Sequence, residues 1–398
     1  MIDAVTNVVT QNRDFSGVEN ITSEISNLVM SKVRYATRCE CILKADYFTK
    51  SFEGDKVSIG SYGLIGKTVT SRNTGEEDYI GVEVTGLNAC PCTMDAERKK
   101  LISENPEYGD IMSRSKEPGH RIALSRVGVK DLHFPVQVKR NGKEIFLSAT
   151  ADVFIDLPAT RKGADFSSMI DAVTKIVTQN RDFSGVESIT SEISNLVMSK
   201  VRYATKCECI LRADYFTKSF AGDKVSIGSY GLIGKTVTTR NTGEEDYIGV
   251  EVTGLNACPC TMDAERKKLI SENPKYGDIM NNIPVITHNQ RNRVKILVQK
   301  ISGVEIEADM LIKVASDIIG SPVELGESLE SDVELIYRQH KNPQFVEDVV
   351  RNIACSLKQK LQKLNIDPQI LITSESEESV HRHNAFAEFA GKLSDIMC

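Results

Sequence analysis

The chain lacks several features that would place it quickly. No run approaches the ~20 consecutive apolar residues that a membrane-spanning helix needs. Positive charge is not in excess. The 49 Lys and Arg stand against 55 Asp and Glu, net −6, which leaves no broad footprint for nucleic acid or an anionic membrane. The N-terminus, MIDAVTNVVTQNRD, carries an acid at position 3 and no basic flank before an apolar core, so no secretory leader is expected. Ten cysteines in 398 residues are too sparse for a disulfide scaffold; reduced thiols in a cytoplasmic protein are expected, with metal binding or catalysis as their notable uses. What is present is ordinary: 40% hydrophobic and 26% charged residues, enough to bury a core in two or three domains.

The chain repeats part of itself. Residues 1–112 recur as 169–280, without a gap and with eight differences: Asn7/Lys175, Val8/Ile176, Asn20/Ser188, Arg38/Lys206, Lys44/Arg212, Glu53/Ala221, Ser71/Thr239 and Glu107/Lys275. An offset this long lies far outside the ~20–50-residue period of solenoids. It marks a truncated duplicate of the middle of a body spanning 113–398. The duplicate has four cysteines and no histidine; His120, His133, His288, His340, His381 and His383 all follow it. Chemistry that needs thiol and imidazole together therefore belongs to the later body.

Periodicity sketches that body. Residues 121–126 and 133–139 read as short strands, and 143–157 alternates as a half-buried strand. Ile189, Ile193, Leu196, Val197 and Val201 make one helical face. Extended segments follow over 207–218 and 235–254, with a turn at Asn241-Thr242-Gly243, and then a polar helix after Cys258-Pro259-Cys260. A strand over 293–301, a helix over 305–319, a helix over 344–361 opened by Asn342-Pro343, a strand over 369–376 and a closing helix over 384–393 complete the pattern. Strand pairs followed by helices, twice over, predict an α+β fold with antiparallel sheets and helices on one face, as ββαα-type modules at 113–280 and 281–398. Gly228–Thr236 superficially suggests a phosphate-binding loop, but its glycine spacing is one residue too long and no helix follows; a turn between strands is expected.

Three constellations could carry chemistry. Cys258 and Cys260 flank a proline just before a helix, where a thiolate is favoured, although two thiols alone cannot complete a tetrahedral metal site. Cys207 and Cys209, at the same spacing inside a strand, read as packing. Thr287-His288-Asn289-Gln290-Arg291 opens a strand, and Glu378-Ser379-Val380-His381-Arg382-His383 lies between two elements; histidines two apart project to one side of an extended chain. Glu334 and Glu347 lie between these segments. A thiolate, two imidazoles and a carboxylate suit Zn(II) or Fe(II) with a position left for water.

RIALSRVGV, IDLPATRKG, CPC, THNQR, NPQFVEDVVR and ESVHRHNAFA, in this order, resemble the GTP cyclohydrolases of the type IB superfamily. The insert over 261–287 resembles their archaeal methanopterin-pathway branch. The resemblance covers 116–398 and implies a tunnelling (T-) fold whose sheets close into barrels in a homo-oligomer, a dimer or tetramer, with GTP as substrate and no nucleic-acid or membrane partner. It further implies Fe(II), with Zn(II) or Mn(II) as alternatives, and a reaction that opens the guanine imidazole ring, releases formate and yields 7,8-dihydroneopterin 2′,3′-cyclic phosphate. Carried over by residue, the resemblance makes Cys258, His288 and His381 metal ligands, with Glu334 as the carboxylate and Asp332 in reserve. Glu347 would hold the guanine edge, Cys260 and His383 would move protons, and Gln290, Arg291, Arg161 and Lys162 would contact substrate.

Overall fold

The computed structural model describes residues 18–32, 38–53, 56–72, 75–83, 120–140, 143–179, 183–221, 224–320 and 328–398. In chain order these form α1 (Val18–Lys32), β1 (Arg38–Glu53), β2 (Lys56–Ser71), β3 (Gly75–Glu83), β4 (Leu124–Arg140), β5 (Lys143–Leu157), α2 (Phe166–Thr178), α3 (Val186–Lys200), β6 (Lys206–Ala221), β7 (Lys224–Thr239) and β8 (Gly243–Ala257). Then come α4 (Pro259–Glu272), α5 (Gly277–Asn282), β9 (Asn289–Gln299), α6 (Ala308–Ile319), α7 (Leu329–Lys341), α8 (Val346–Leu361), β10 (Gln369–Glu377) and β11 (Ala385–Lys392). The expected α+β class is observed. β1–β3 make a three-stranded sheet, and β4 to β11 an eight-stranded sheet whose spatial order follows the chain. The pairings with a resolved register are antiparallel.

Of the described residues, 18–211 with 236–244 form one compact unit and 212–235 with 245–398 the other. The first contains the duplicate. Its later core is Ile155 on β5, Met169 on α2, and Ile189 and Ile193 on α3, each under 2% exposed. Asp165 caps α2 by accepting the Ser168 backbone N–H at 3.2 Å and the Ser167 and Ser168 hydroxyls, a contribution of about 0.5–2 kcal/mol. The stretch at 164–168 is thus a helix start, and α2 is an element that the sequence reading did not find.

In the second unit, Leu311 and Ile319 of α6 and Ile353 and Leu357 of α8 bury with Ile296 of β9 and Ile372 of β10. Strict alternation of burial along β10 shows one covered sheet face, as a sheet with helices on a single side requires. Gly320 ends α6 at φ +56°, a conformation open to glycine. Its carbonyl accepts the Leu255 N–H at 3.2 Å, tying the helix end to β8.

Several expectations are corrected. Residues 121–139 form most of one strand, β4, broken only by register shifts between Leu124 and Val127 and between Val129 and Leu132. The segment 228–236 is strand interior within β7, not a turn. The last element, β11, is a strand paired with β10 through Gln369↔Lys392 to Ser376↔Ala385, where a helix was expected. Residues 245–280, expected with the first module, pack with the second, because β8 and β9 are ladder neighbours on either side of the proposed boundary. Cys355 and Cys398 form a disulfide, so not all thiols are free. The duplicate's Cys90 and Cys92, and the junction at 112, lie outside the described residues.

Candidate active site

The site forms where three strands end together. β8 and β9 pair down to Ala257↔Asn289, so residues 258 and 288 each adjoin the last paired position. On the other side of β9, the ladder with β10 closes at Glu377↔Arg291. The end of β8, the start of β9 and the end of β10 therefore meet at one edge of the sheet. This brings together residues 32 and 86 positions apart in the chain (Ala257 with Asn289, Arg291 with Glu377) through ladder pairing alone.

Cys258 is the N-cap of α4, with Pro259 at the first helical position. Its Sγ lies 2.8 Å from Cys260 Sγ. Partial burial acts to raise the Cys258 thiol. Hydrogen bonds from Cys260 and from the hydroxyl and backbone of Thr261 outweigh it and hold Cys258 below the ordinary thiol value. Cys260 shifts the other way, first because it gives its hydrogen bond to Cys258 and then because of burial and the neighbouring charge. The two sulfurs are thus shifted in opposite directions, with Cys258 at a helix N-terminus, where a thiolate is favoured.

Gln290 is buried on β9. Its Oε1 accepts from the Ser376 hydroxyl at 3.0 Å, its Nε2 donates to Glu378, and the same Nε2 lies 3.4 Å from His288 Nε2. One step along, Ser376's neighbour Ser374 donates to Asn292 at 3.0 Å. Beyond β10, the His381 and His383 rings stack at 5.0 Å with 12° between their planes, so the pair does share one side. Thr287 Oγ1 and Asn289 Oδ1, flanking His288, are buried with no hydrogen-bond partner among the described residues. An unpaired buried acceptor costs about 1–3 kcal/mol, and two of them beside His288 mark a place built for a further polar group.

The remaining candidates are more dispersed. Glu334 and Asp332 are exposed on α7, and Glu347 is exposed in the first turn of α8. A network of hydrogen bonds centred on Gln344 joins the segment before α8 to the end of β8. Asn256 Nδ2 donates to the Gln344 carbonyl at 2.7 Å, Gln344 Nε2 donates to the Ile318 carbonyl at 3.1 Å, and Asn352 Nδ2 donates to Gln344 Oε1 at 2.7 Å. Arg291 is exposed at the strand end. Arg161, also exposed, lays its guanidinium 3.8 Å from the Tyr203 ring centroid; Lys162 follows it. The donor chemistry of Cys258 and His288 fits a borderline-soft divalent cation. Among the described residues, however, no three His, Cys, Asp or Glu side chains come together as a group able to hold a metal ion. Gln344, Asn256 and His340 are residues to which the sequence reading gave no site role, and Glu378 entered it only as the opening of the His381 segment.

Comparison with known proteins supplies the class. The family described as type I GTP cyclohydrolase folE2 matches residues 109–387, which include every candidate above and leave the duplicate almost wholly outside. The chain belongs to this family, whose activity is GTP cyclohydrolysis.

Within it, the chain is 34% identical over 291 residues to the GTP cyclohydrolase MptA of Thermoplasma acidophilum, covering 72% of this chain and 98% of that protein. It is 32% identical over 284 residues to the GTP cyclohydrolase MptA of Thermoplasma volcanium, covering 71% and 95%. Among solved structures, the uricase of Arthrobacter globiformis aligns at a TM-score of 0.40 and 8% identity, over 67% of this chain and 92% of that one. No helix among the described residues is long and apolar enough to cross a membrane.

Proposed function

We propose that this GTP cyclohydrolase is metal-dependent, opens the imidazole ring of the guanine base, releases formate and forms 7,8-dihydroneopterin 2′,3′-cyclic phosphate. The observation that carries the reading is the paired end of β8 and β9, Ala257↔Asn289, which Cys258, a thiol with a lowered proton affinity, directly follows and His288 directly precedes. The likeness to proteins named MptA supports the cyclic product.

In this reading Cys258 and His288 hold Fe(II), with Zn(II) or Mn(II) as alternatives, and His381 and Glu334 (or Asp332) complete the donor set. A bound divalent cation supplies Lewis acidity that makes hydroxide available near neutral pH. Glu347, in the first turn of α8, hydrogen-bonds the guanine edge and orients the base. Cys260 and His383 carry protons to and from the opening ring, as groups within reach of both solvent and substrate can. Gln290 orients His288 and Glu378, while Arg291, Arg161 and Lys162 neutralise phosphate. The chain works as a cytoplasmic homo-oligomer, dimer or tetramer, in which neighbouring sheets close into the barrels of the tunnelling fold.

The test is anaerobic incubation of the purified protein with Fe(II) and GTP. Formate and a pterin that fluoresces after oxidation are expected, with the mass of the cyclic phosphate. The mass of dihydroneopterin triphosphate would replace the product assignment with the folate type. No turnover with any of the three metals would leave a non-catalytic scaffold instead.

A further inference from the structure

His340 sits in the last turn of α7 and is 1% exposed, the most deeply buried of the described histidines and, like His120 and His133, part of no motif. Both of its ring nitrogens are engaged by backbone groups of fixed character. The Thr287 N–H donates to Nε2 at 3.1 Å, and Nδ1 lies 2.9 Å from the Ile336 carbonyl one turn back. An amide N–H can only donate and a carbonyl can only accept. Nδ1 therefore carries the hydrogen and Nε2 is a lone pair, which assigns the tautomer from the partners themselves.

The ring is thus a strut between two pieces of chain 53 residues apart. At one end is α7, the helix that bears Asp332 and Glu334. At the other is the backbone of Thr287, the residue before His288, at the point where β9 has not yet begun its ladder with β8. Without this bond nothing regular holds residue 287: its hydroxyl is unpaired, and the strand starts only at Asn289.

We propose that His340 is a positioning residue of the cyclohydrolase site, fixing the Thr287 backbone and through it the imidazole of His288 against α7. The inference rests on the metal-site reading above and extends it to a residue outside the donor set. A buried ring that supports a ligand from behind typically accounts for ~10–100-fold in metal affinity.

The test uses the full chain and three substitutions. His340→Leu removes both hydrogen bonds. His340→Gln can place its amide oxygen where Nε2 stands, whereas His340→Asn is one methylene too short to reach Thr287. Two readouts are followed: hydrogen exchange of the Thr287 amide, and titration of the metal-free protein with Co(II), monitored by thiolate-to-metal absorption. Expected are at least ~10-fold faster exchange and ~10–100-fold weaker Co(II) binding in His340→Leu and His340→Asn, with His340→Gln close to wild type in both.

Should His340→Leu fail to fold, the Gln/Asn pair carries the decision. Equal exchange and equal Co(II) affinity across that pair would overturn the proposal. A wild-type chain that binds no Co(II) and turns over no GTP, while Thr287 remains protected, would instead defeat the functional reading beneath it.

Discussion

Two stretches of nearly the same sequence fold here in different company. α1, β1, β2 and β3 of the duplicate match α3, β6, β7 and the start of β8 residue for residue. Their helix-to-strand hydroxyl pairs are the same: Thr22 with Thr68 and Thr190 with Thr236, both at 2.8 Å, and Ser26 with Thr70 and Ser194 with Thr238, both at 2.7 Å. So are the Asn27–Glu76 and Asn195–Glu244 bonds and the arginine that closes the helix C-terminus, Arg72 on Met30 and Arg240 on Met198.

Burial is not the same. Ile189 is fully buried where Ile21 is half-exposed, and Cys207 and Cys209 are sealed where Cys39 and Cys41 are not. Local hydrogen bonding travels with the sequence. Seclusion from water comes with β5, of which the duplicate has no copy; residues 1–10, the counterpart of most of α2, lie outside the described residues.

The widest gap between the copies should be chemical. Cys258→Ala should reduce GTP turnover by more than the ~10–100-fold typical of a supporting residue, whereas Cys90→Ala, in a copy with no imidazole, should leave it unchanged. Steady-state assays of the two variants break the comparison if both lose activity. Next comes packing. Ile189→Ala should cost about 2–5 kcal/mol in urea unfolding of the full chain and Ile21→Ala clearly less; equal costs would mean that the duplicate has a complete core of its own.

Thiol reactivity sharpens the contrast further. Burial, opposed by a hydrogen bond from Ser194 and aided by the charge of Glu208, pushes Cys207 up to about 11, while Cys258 lies below the ordinary value. Alkylation followed by peptide mass spectrometry should label Cys258 at a lower pH than any other free body thiol and Cys207 and Cys209 last, with Cys39 reacting well before its buried counterpart Cys207.

The smallest effect concerns Asp156. Partial burial raises its proton affinity, but hydrogen bonds from the Thr205 hydroxyl and from the Lys206 and Thr205 backbone N–H groups, at 2.6–2.8 Å, prevail and lower it. Its contribution is present above the unfolded carboxyl value, near ~4, and disappears as pH falls through the lower folded value. Asp156→Asn should therefore flatten the acid limb of the stability curve. No residue of the duplicate stands in the same place before Thr37, so the acid limb should be indifferent to deleting 1–112.

Much of this was legible in the sequence. The stripe of α8 and the alternation of β5 need only local periodicity; the start expected at Asn342-Pro343 is not used, since α8 begins at Val346 after Phe345 and Asn342 instead ends α7. Alternation also exists in Ala385-Phe386-Ala387-Glu388-Phe389, but phenylalanines three apart among alanines suit a helix equally well, and only the ladder with β10 decides. α2 carried its own signal, with Met169, Ala172, Val173 and Ile176 buried on one face, masked by the polar Asp165–Ser168 cap. The site divides likewise. Cys258 and His288 follow from motif and register, whereas the Gln344 hub and the His340 strut join segments tens of residues apart through single hydrogen bonds that leave no trace in spacing.

The 31-residue excursion from Ala257 to Asn289 has a consequence for how such a molecule can change over time. It departs from one strand and returns to the adjacent one at the directly opposing position, so a segment of any length, whether two helices, one or a tight turn, can be spliced into it while Ala257 and Asn289 stay paired. Length here is free to drift without disturbing the ladder at its base.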